Sequence, residues 1–266
     1  MMNSSGWKHN IELVYTLGTM DLKQKYQNSK LGMLWSFFKP LLQFAVYYLV
    51  FGVTLKIDES PDYPLRLFFG IIVWTLFTDG TGMGLSSYLG KKTLVTKVKV
   101  NMLLIPISAF YTAALNFAIN FGIFLILYHI LVPLPFSIYN ISNLLCFFTG
   151  FILYGVSIVS INIVLATLNA LFRDIQSIWE LLMMYGVFLM PIIYPIQINE
   201  AYMPAYYFFN PVAFPLINLR NIFFNTGAFL WSNPVYAMAY ISGIILWIVL
   251  AWLVNAKLKH KVADYL

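Results

Sequence analysis

The feature that most constrains this chain is a series of apolar runs, each about 20 residues long, with almost no charge inside them. At about 1.5 Å rise per residue, such a run matches the ~30 Å hydrocarbon core of a bilayer. No water is available there, so a crossing segment must satisfy its own backbone groups, and a helix does so. Runs at 34–55, 67–89, 107–132, 144–170, 178–193 and 235–255 therefore predict an all-α membrane protein with six transmembrane helices. A large soluble core does not explain them. Charged residues make up 10% of the chain and hydrophobic residues 61%, whereas a soluble domain carries about a quarter charged residues.

The segments between the runs have distinct characters. Residues 10–30 mix Ile11, Leu13, Val14, Leu17, Met20 and Leu22 with Lys23, Gln24, Lys25 and Gln27, which predicts an amphipathic helix at the membrane interface. The first residues lack an apolar core and a small-residue cleavage site, so no signal peptide is expected. Pro40 falls in the first two turns of the first span, where proline is tolerated. Pro133 and Pro135 are expected to end the third span, and Pro191 and Pro195 the fifth. Residues 91–106 are basic and too polar to cross. Residues 196–232 are aromatic and broken by Pro204, Pro211, Pro215 and Gly227, which predicts short re-entrant helices buried in protein.

Charge placement sets the orientation. With both termini in the cytoplasm, 13 of the 16 basic residues fall on that side, and only Lys56, Arg66 and Arg220 fall outside. The net charge of +6 thus reads as membrane orientation and not as nucleic-acid binding.

Catalytic chemistry finds no support. The single cysteine, Cys146, excludes an internal disulfide, and His9, His129 and His260 are far apart. Asp58, Glu59 and Asp62 cluster without a histidine. The run from Gly84 to Gly90-Lys91-Lys92-Thr93 imitates a phosphate loop, but its spacing is one residue too long and Lys92 stands in the Ser/Thr position. A nucleotide that powers this protein would bind another chain. No metal and no cofactor is expected in this one.

Polar residues inside the runs form stripes. Ser36, Gln43, Tyr47 and Thr54 share a face, as do Thr75, Asp79, Gly82 and Ser86. Ala113, Asn116 and Asn120 share another, and so do Gly155, Asn162, Ala166 and Asn169. Such side chains face either a neighbouring helix or a water-filled path. Helix packing is the reading for the last two stripes, and a path for the first two, with Asp79 the sharpest residue because charge inside a span is costly. Gly80 and Gly84 fit a weak helix-packing motif. In a sugar conduit, aromatic rings offer flat apolar faces to pyranose rings, and Tyr47, Trp74, Tyr185, Phe188 and Tyr194 are the candidates.

The stretch Asp21-Leu-Lys-Gln-Lys-Tyr-Gln-Asn-Ser29-Lys-Leu31-Gly32-Met-Leu-Trp35-Ser-Phe-Phe-Lys-Pro40, with Tyr47 and Val50-Phe51-Gly52, resembles the opening signature of the polysaccharide-export permeases, the membrane subunits of type-2 ABC exporters. Phe172-Arg173-Asp174-Ile175, Pro191-Ile-Ile-Tyr194-Pro195 and Asn210-Pro211 with Arg220 are similar to later landmarks of that family. Within it, the sequence looks first like the wall teichoic acid permeases and next like the O-antigen permeases. One departure is Lys97-Val98-Lys99-Val100-Asn101, where the family pattern has an aromatic-proline-arginine run.

The resemblance implies a homodimer with two cytoplasmic ATP-binding subunits, which hold the ATP and Mg, and export of an undecaprenyl-diphosphate-linked glycan across the bacterial cytoplasmic membrane. Ser36, Gln43, Tyr47, Trp74, Asp79, Tyr185, Phe188 and Tyr194 would line the conduit. Lys30 and Lys39 would attract the lipid diphosphate at its entrance. Lys91, Lys92, Lys97, Lys99, Arg173 and Asp174 would dock the ATPase, and Asn210, Pro211 and Arg220 would belong to an external gate. The competing expectations are an ABC permease for a drug or lipid, and a membrane-embedded glycosyl- or acyltransferase, which would need a carboxylate or histidine cluster at one depth.

Overall fold

In the computed structural model, residues 4–27, 29–97, 101–132, 141–195, 198–225 and 229–265 are described. Lys99, Pro133 and Pro135 lie outside them. Ten α-helices organise these residues: α1 Ser4–Tyr26, α2 Trp35–Tyr47, α3 Tyr63–Gly90, α4 Lys92–Lys97, α5 Leu104–Leu131, α6 Ile141–Leu171, α7 Asp174–Gly186, α8 Met203–Phe209, α9 Ala213–Phe224 and α10 Pro234–Tyr265. A wider π-helical turn, Tyr48–Thr54, prolongs α2.

Among the described residues, five helices are long and apolar enough to cross a membrane: Gly32–Thr54, Tyr63–Gly90, Leu104–Leu131, Ile141–Leu171 and Pro234–Lys259. They coincide with five of the six expected spans. The run expected at 178–193 differs. It forms α7 and a 3-10 turn, Val187–Leu189, and then breaks. That is about 25 Å of helix, so the irregular stretch up to Pro195 has to complete the sixth crossing of a ~30 Å core.

Helix α3 is the hub. Most of its residues are buried, as in a helix enclosed by others, and it packs against α2, α5, α6, α7 and α9. Leu67, Phe69, Ile71 and Val73 are fully buried. Phe69, Phe124 and Phe223 join α3, α5 and α9 in an aromatic cluster with ring centroids 5.0–5.3 Å apart. A second core of Leu17, Tyr88, Ile105, Ala166 and Val262 ties α1 and the end of α10 to the Lys91 end of α3. At the opposite end, α8, α9 and α10 close around Tyr207, Phe214, Tyr240 and Ile244.

Several buried side chains donate to backbone carbonyls of neighbouring helices, one of which its own helix leaves free. Pro40 has no N–H for the carbonyl of Ser36, four residues earlier. Asn120 of α5 supplies the donor, at 3.1 Å. Asn169 donates to Leu85 O at 3.0 Å and Asn162 to Pro106 O at 3.4 Å. A β-carbon on Gly84 would overlap the Asn162 side chain, and one on Gly80 would press on Ile158. The α5 and α6 stripes and the two glycines are therefore helix-packing devices.

Candidate functional site

Two of the longer helices among the described residues are poorly covered. Helix α2 buries only Ser36 and Pro40, and α7 only Gly186. Both rest on α3, and a polar groove of about 470 Å³ separates them. Lys39, Gln43 and Tyr47 of α2, spaced by one helical turn each, form one wall. Thr75, Thr78, Gly82 and Ser86 of α3 form the floor, and Gln176, Trp179 and Glu180 of α7 the other wall. Gln43 donates to the Tyr47 hydroxyl at 3.2 Å, and Gln176 to the Glu180 carboxylate at 2.9 Å.

Two further spaces adjoin the groove. Through Lys39 and Thr75 it borders a recess of about 280 Å³ that is also lined by Lys25, Tyr26, Trp35, Ser36 and Asp79. Through Trp74, Trp179 and Met183 it borders an apolar cavity of about 1030 Å³ between α7 and the α6, α8 and α10 side of the bundle. Trp74 is the hinge of this arrangement. It is 4% exposed, stacks on Phe77 at 5.7 Å, and would meet any β-carbon on Gly186.

Of the expected conduit residues, Gln43, Tyr47 and Trp74 line the groove, and Phe188, Tyr194 and again Trp74 line the apolar cavity. Ser36 and Asp79 line the recess. Tyr185 lies on the outward face of α7, 60% exposed, and lines none of these spaces. Asp79 is paired with Lys25 of α1 at 3.0 Å. Four residues earlier on α1, Asp21 pairs with Lys91 at 2.6 Å. Thr112 donates to Gly18 O at 3.0 Å and adds a third tie. Helix α1 is thus locked along α3 and α5 by one face and turns Trp7, Ile11 and Tyr15 outward.

Lys39 stands between groove and recess, and its basic neighbour there is Lys25. Lys30 is exposed and lines neither. Lys91 is held by Asp21, Lys92 opens α4 and Lys97 closes it. Arg173 and Asp174 form the exposed turn into α7, where Asp174 favours the positive end of the helix dipole.

The broken backbone after α7 is held by three side chains from other elements and one of its own. Tyr206 donates to Leu189 O at 2.8 Å, Arg220 to Pro191 O at 2.7 Å, Tyr63 to Ile193 O at 3.1 Å, and Tyr194 to Phe188 O. Irregular backbone inside a bundle requires such donors. Arg220 supplies the donor that Pro191 O lacks in this irregular backbone. Arg220 also reaches Arg66 O at 3.4 Å. Burial, with the neighbouring Arg66 charge, draws its pKa down to about 10, so it stays cationic. Arg66 in turn pairs with Asp58 at 2.7 Å and Asp62 at 3.0 Å. Asn210 caps α9, accepting from Val212 N and Ala213 N at 3.0 Å each, and Pro211 borders the apolar cavity.

Trp179, Glu180, Gln176, Thr78 and Lys25 were not among the expected site residues. Gln176 and Glu180, one turn apart in a largely apolar helix, carried a legible signal. Lys25 did not, because its partner is 54 residues away. Among the described residues, no three His, Cys, Asp or Glu side chains gather as a metal site.

A curated relative, the O-antigen export system permease protein RfbA of Myxococcus xanthus, is 27% identical over 237 residues, 88% of either chain. A Klebsiella pneumoniae protein of the same name is 26% identical over 259 residues, covering 96% of this chain and 95% of its own. Residues 12–224 match the ABC-2 type transporter family model, a span that takes in α2, α3, α7 and every residue of the groove. This multi-pass membrane chain belongs to the ABC-2 type transporter family.

Proposed function

We propose that the chain is the membrane subunit of an ATP-driven exporter of an undecaprenyl-diphosphate-linked polysaccharide, of O-antigen or teichoic acid type. The observation that carries the reading is the polar groove between α2 and α7, in a chain similar along nearly its whole length to O-antigen export permeases. Its amides, hydroxyls and carboxylate suit sugar hydroxyls, and the rings of Trp74, Trp179 and Tyr47 suit sugar faces. Lys39, with Lys25 beside it, suits a diphosphate at the entrance.

The barely covered α2 and α7 support a homodimer, in which two grooves would face one another and enclose a path. The basic residues Lys91, Lys92, Lys97 and Lys99, with Arg173 and Asp174, form the docking side for two cytoplasmic ATP-binding subunits, which hold ATP and Mg. Both termini then lie in the cytoplasm, in accord with the lysine and arginine bias. ATP-driven closure of those subunits shifts α4 and the start of α7. Helix α7 moves against α3, and the strapped 188–195 segment, with Arg220 and Asn210, gates the outer end.

The test is reconstitution of the full chain with its co-encoded ATP-binding neighbour in liposomes that contain a lipid-linked glycan. The expected result is glycan-stimulated ATP hydrolysis and glycan delivered to the opposite side. ATPase activity indifferent to the glycan would overturn the reading. The second reading, export of a lipid without a glycan, draws on the size and apolarity of the neighbouring cavity. Lipid transfer at an undiminished rate without the sugar would favour it.

A further inference from the structure

We infer that the apolar cavity beside α7 receives the polyprenyl chain of the substrate while the polar groove holds its sugars, an assignment that rests on the proposed export of a lipid-linked glycan. The two spaces differ in chemistry and share a wall. The groove carries Lys39, Gln43, Gln176 and Glu180, whereas the cavity of about 1030 Å³ is walled by Trp74, Phe77, Ile161, Trp179 and Trp247. Trp74, Trp179 and Met183 border both. An amphipathic substrate could therefore straddle α7, with each part in matching surroundings.

Four of the cavity's polar side chains are already engaged within the protein. The Tyr206 hydroxyl is bonded to Leu189 O, the Tyr194 hydroxyl to Phe188 O, and the Trp179 N–H to Thr81 Oγ1 at 3.1 Å. Asn210 is occupied in capping α9 and in a contact with Met190 Sδ. Sugar hydroxyls entering here would leave water for ring faces with few free hydrogen-bonding groups, which is costly. A branched hydrocarbon needs none.

Shape points the same way. Trp74, Phe77, Ile161 and Val212 line the cavity although each is at most 4% exposed, so the space runs into the interior of the bundle. A thin flexible chain reaches such residues, whereas a helix of a second copy, about 10–12 Å across with its side chains, does not. Leu182, Leu189 and Phe209, all more than half exposed, mark the mouth through which the rest of the chain would continue into the bilayer.

The experiment uses the full chain in phosphatidylcholine nanodiscs and a long-chain polyprenyl monophosphate with a photoreactive group on a distal isoprene unit. After irradiation, labelled peptides are mapped by mass spectrometry. The expected adducts fall on Trp179, Met183, Phe209 and Trp247. An excess of unlabelled polyprenyl monophosphate suppresses them, and inorganic phosphate and excess phosphatidylcholine do not. Ala205→Trp fills the cavity from an exposed position and should cut labelling at least about tenfold, the equivalent of roughly two buried methylene groups.

Adducts confined to Leu181 and Tyr185 on the outer face would overturn the assignment. So would equal labelling by a photoreactive phosphatidylcholine, which marks an ordinary lipid contact. The competition arm in the unmodified chain decides the matter even if Ala205→Trp misfolds. Cavity labelling in a chain that exports no glycan would refute the transport reading alone. Glycan export with labelling outside the cavity would refute this assignment alone.

Discussion

Replacing Asn120 with alanine removes the donor that α5 offers to the Ser36 carbonyl, which Pro40 leaves without a helical partner. The site is buried, with Ser36 9% and Asn120 2% exposed, so water cannot take over. An orphaned buried acceptor costs about 1–3 kcal/mol in soluble proteins, while interhelical side-chain bonds in membranes average about 0.6 and reach about 1.7 kcal/mol. The second Asn120 bond, to Asn116 O, lies within α5 and does not hold α2. About 1 kcal/mol is therefore at stake for the seating of α2. Pro40→Ala restores an N–H that can serve Ser36 O from within α2. A double-mutant cycle of N120A and P40A isolates this term, because the small void left by N120A is common to both backgrounds. Thermal unfolding of the detergent-solubilised full chain, followed by tryptophan fluorescence, should show N120A lowering the midpoint by about 2–4 °C. The loss should be largely absent when P40A is already present. Effects that add to within about 0.5 kcal/mol would refute the reasoning, as would an N120A midpoint equal to that of the parent.

Gly84→Ala drives a methyl group into Asn162 and should cost about 1–3 kcal/mol, with relief when Asn162→Ala is added; an unchanged midpoint for G84A would contradict the close α3–α6 approach. Lys25→Ala leaves a carboxylate unpaired inside α3 and should harm folding yield more than Asp79→Asn, while the exchange K25D with D79K should recover part of the loss; the reverse ranking would refute the α1 lock. Arg220→Met frees Pro191 O, and labelling of Ile192→Cys in a Cys146→Ala background should rise several-fold; equal protection with and without Arg220 would show that the strap does not hold the segment. Burial raises the Asp58 pKa, but hydrogen bonds from Ser60 and the Arg66 charge outweigh it and leave the carboxyl below its ordinary value. Its contribution is thus present above the unfolded-state pKa and lost as pH falls through the lower folded value, so the parent should weaken in strong acid more than Asp58→Asn does.

The membrane class and the long helices could be read from the chain because hydrophobic length is a local property. Tyr63–Gly90, Leu104–Leu131 and Ile141–Leu171 extend the expected runs by only a few residues. The chain from Asp21 to Pro40 likewise carried the family resemblance in consecutive residues, and the match over residues 12–224 agrees with it. The two terminating prolines after α7 were also visible. What hydropathy could not register was how short the helix before them is, since Met190, Ile192 and Ile193 are apolar in a helix or in a strapped loop alike.

The use of each polar side chain was decided by tertiary structure. Asn120, Asn162 and Asn169 sit in the stripes read as helix packing, and only the packed bundle shows which carbonyl of another helix each one binds. Gln43 and Tyr47 belong to a similar stripe and face open space, because α2 and α7 do not close on each other. Asp79 reads as an isolated charge until α1 folds back and brings Lys25 to 3.0 Å. Sequence periodicity assigns a residue to a face of its own helix. What stands opposite that face, a carbonyl, a counter-charge or an empty groove, depends on residues tens of positions away and on how the helices pack.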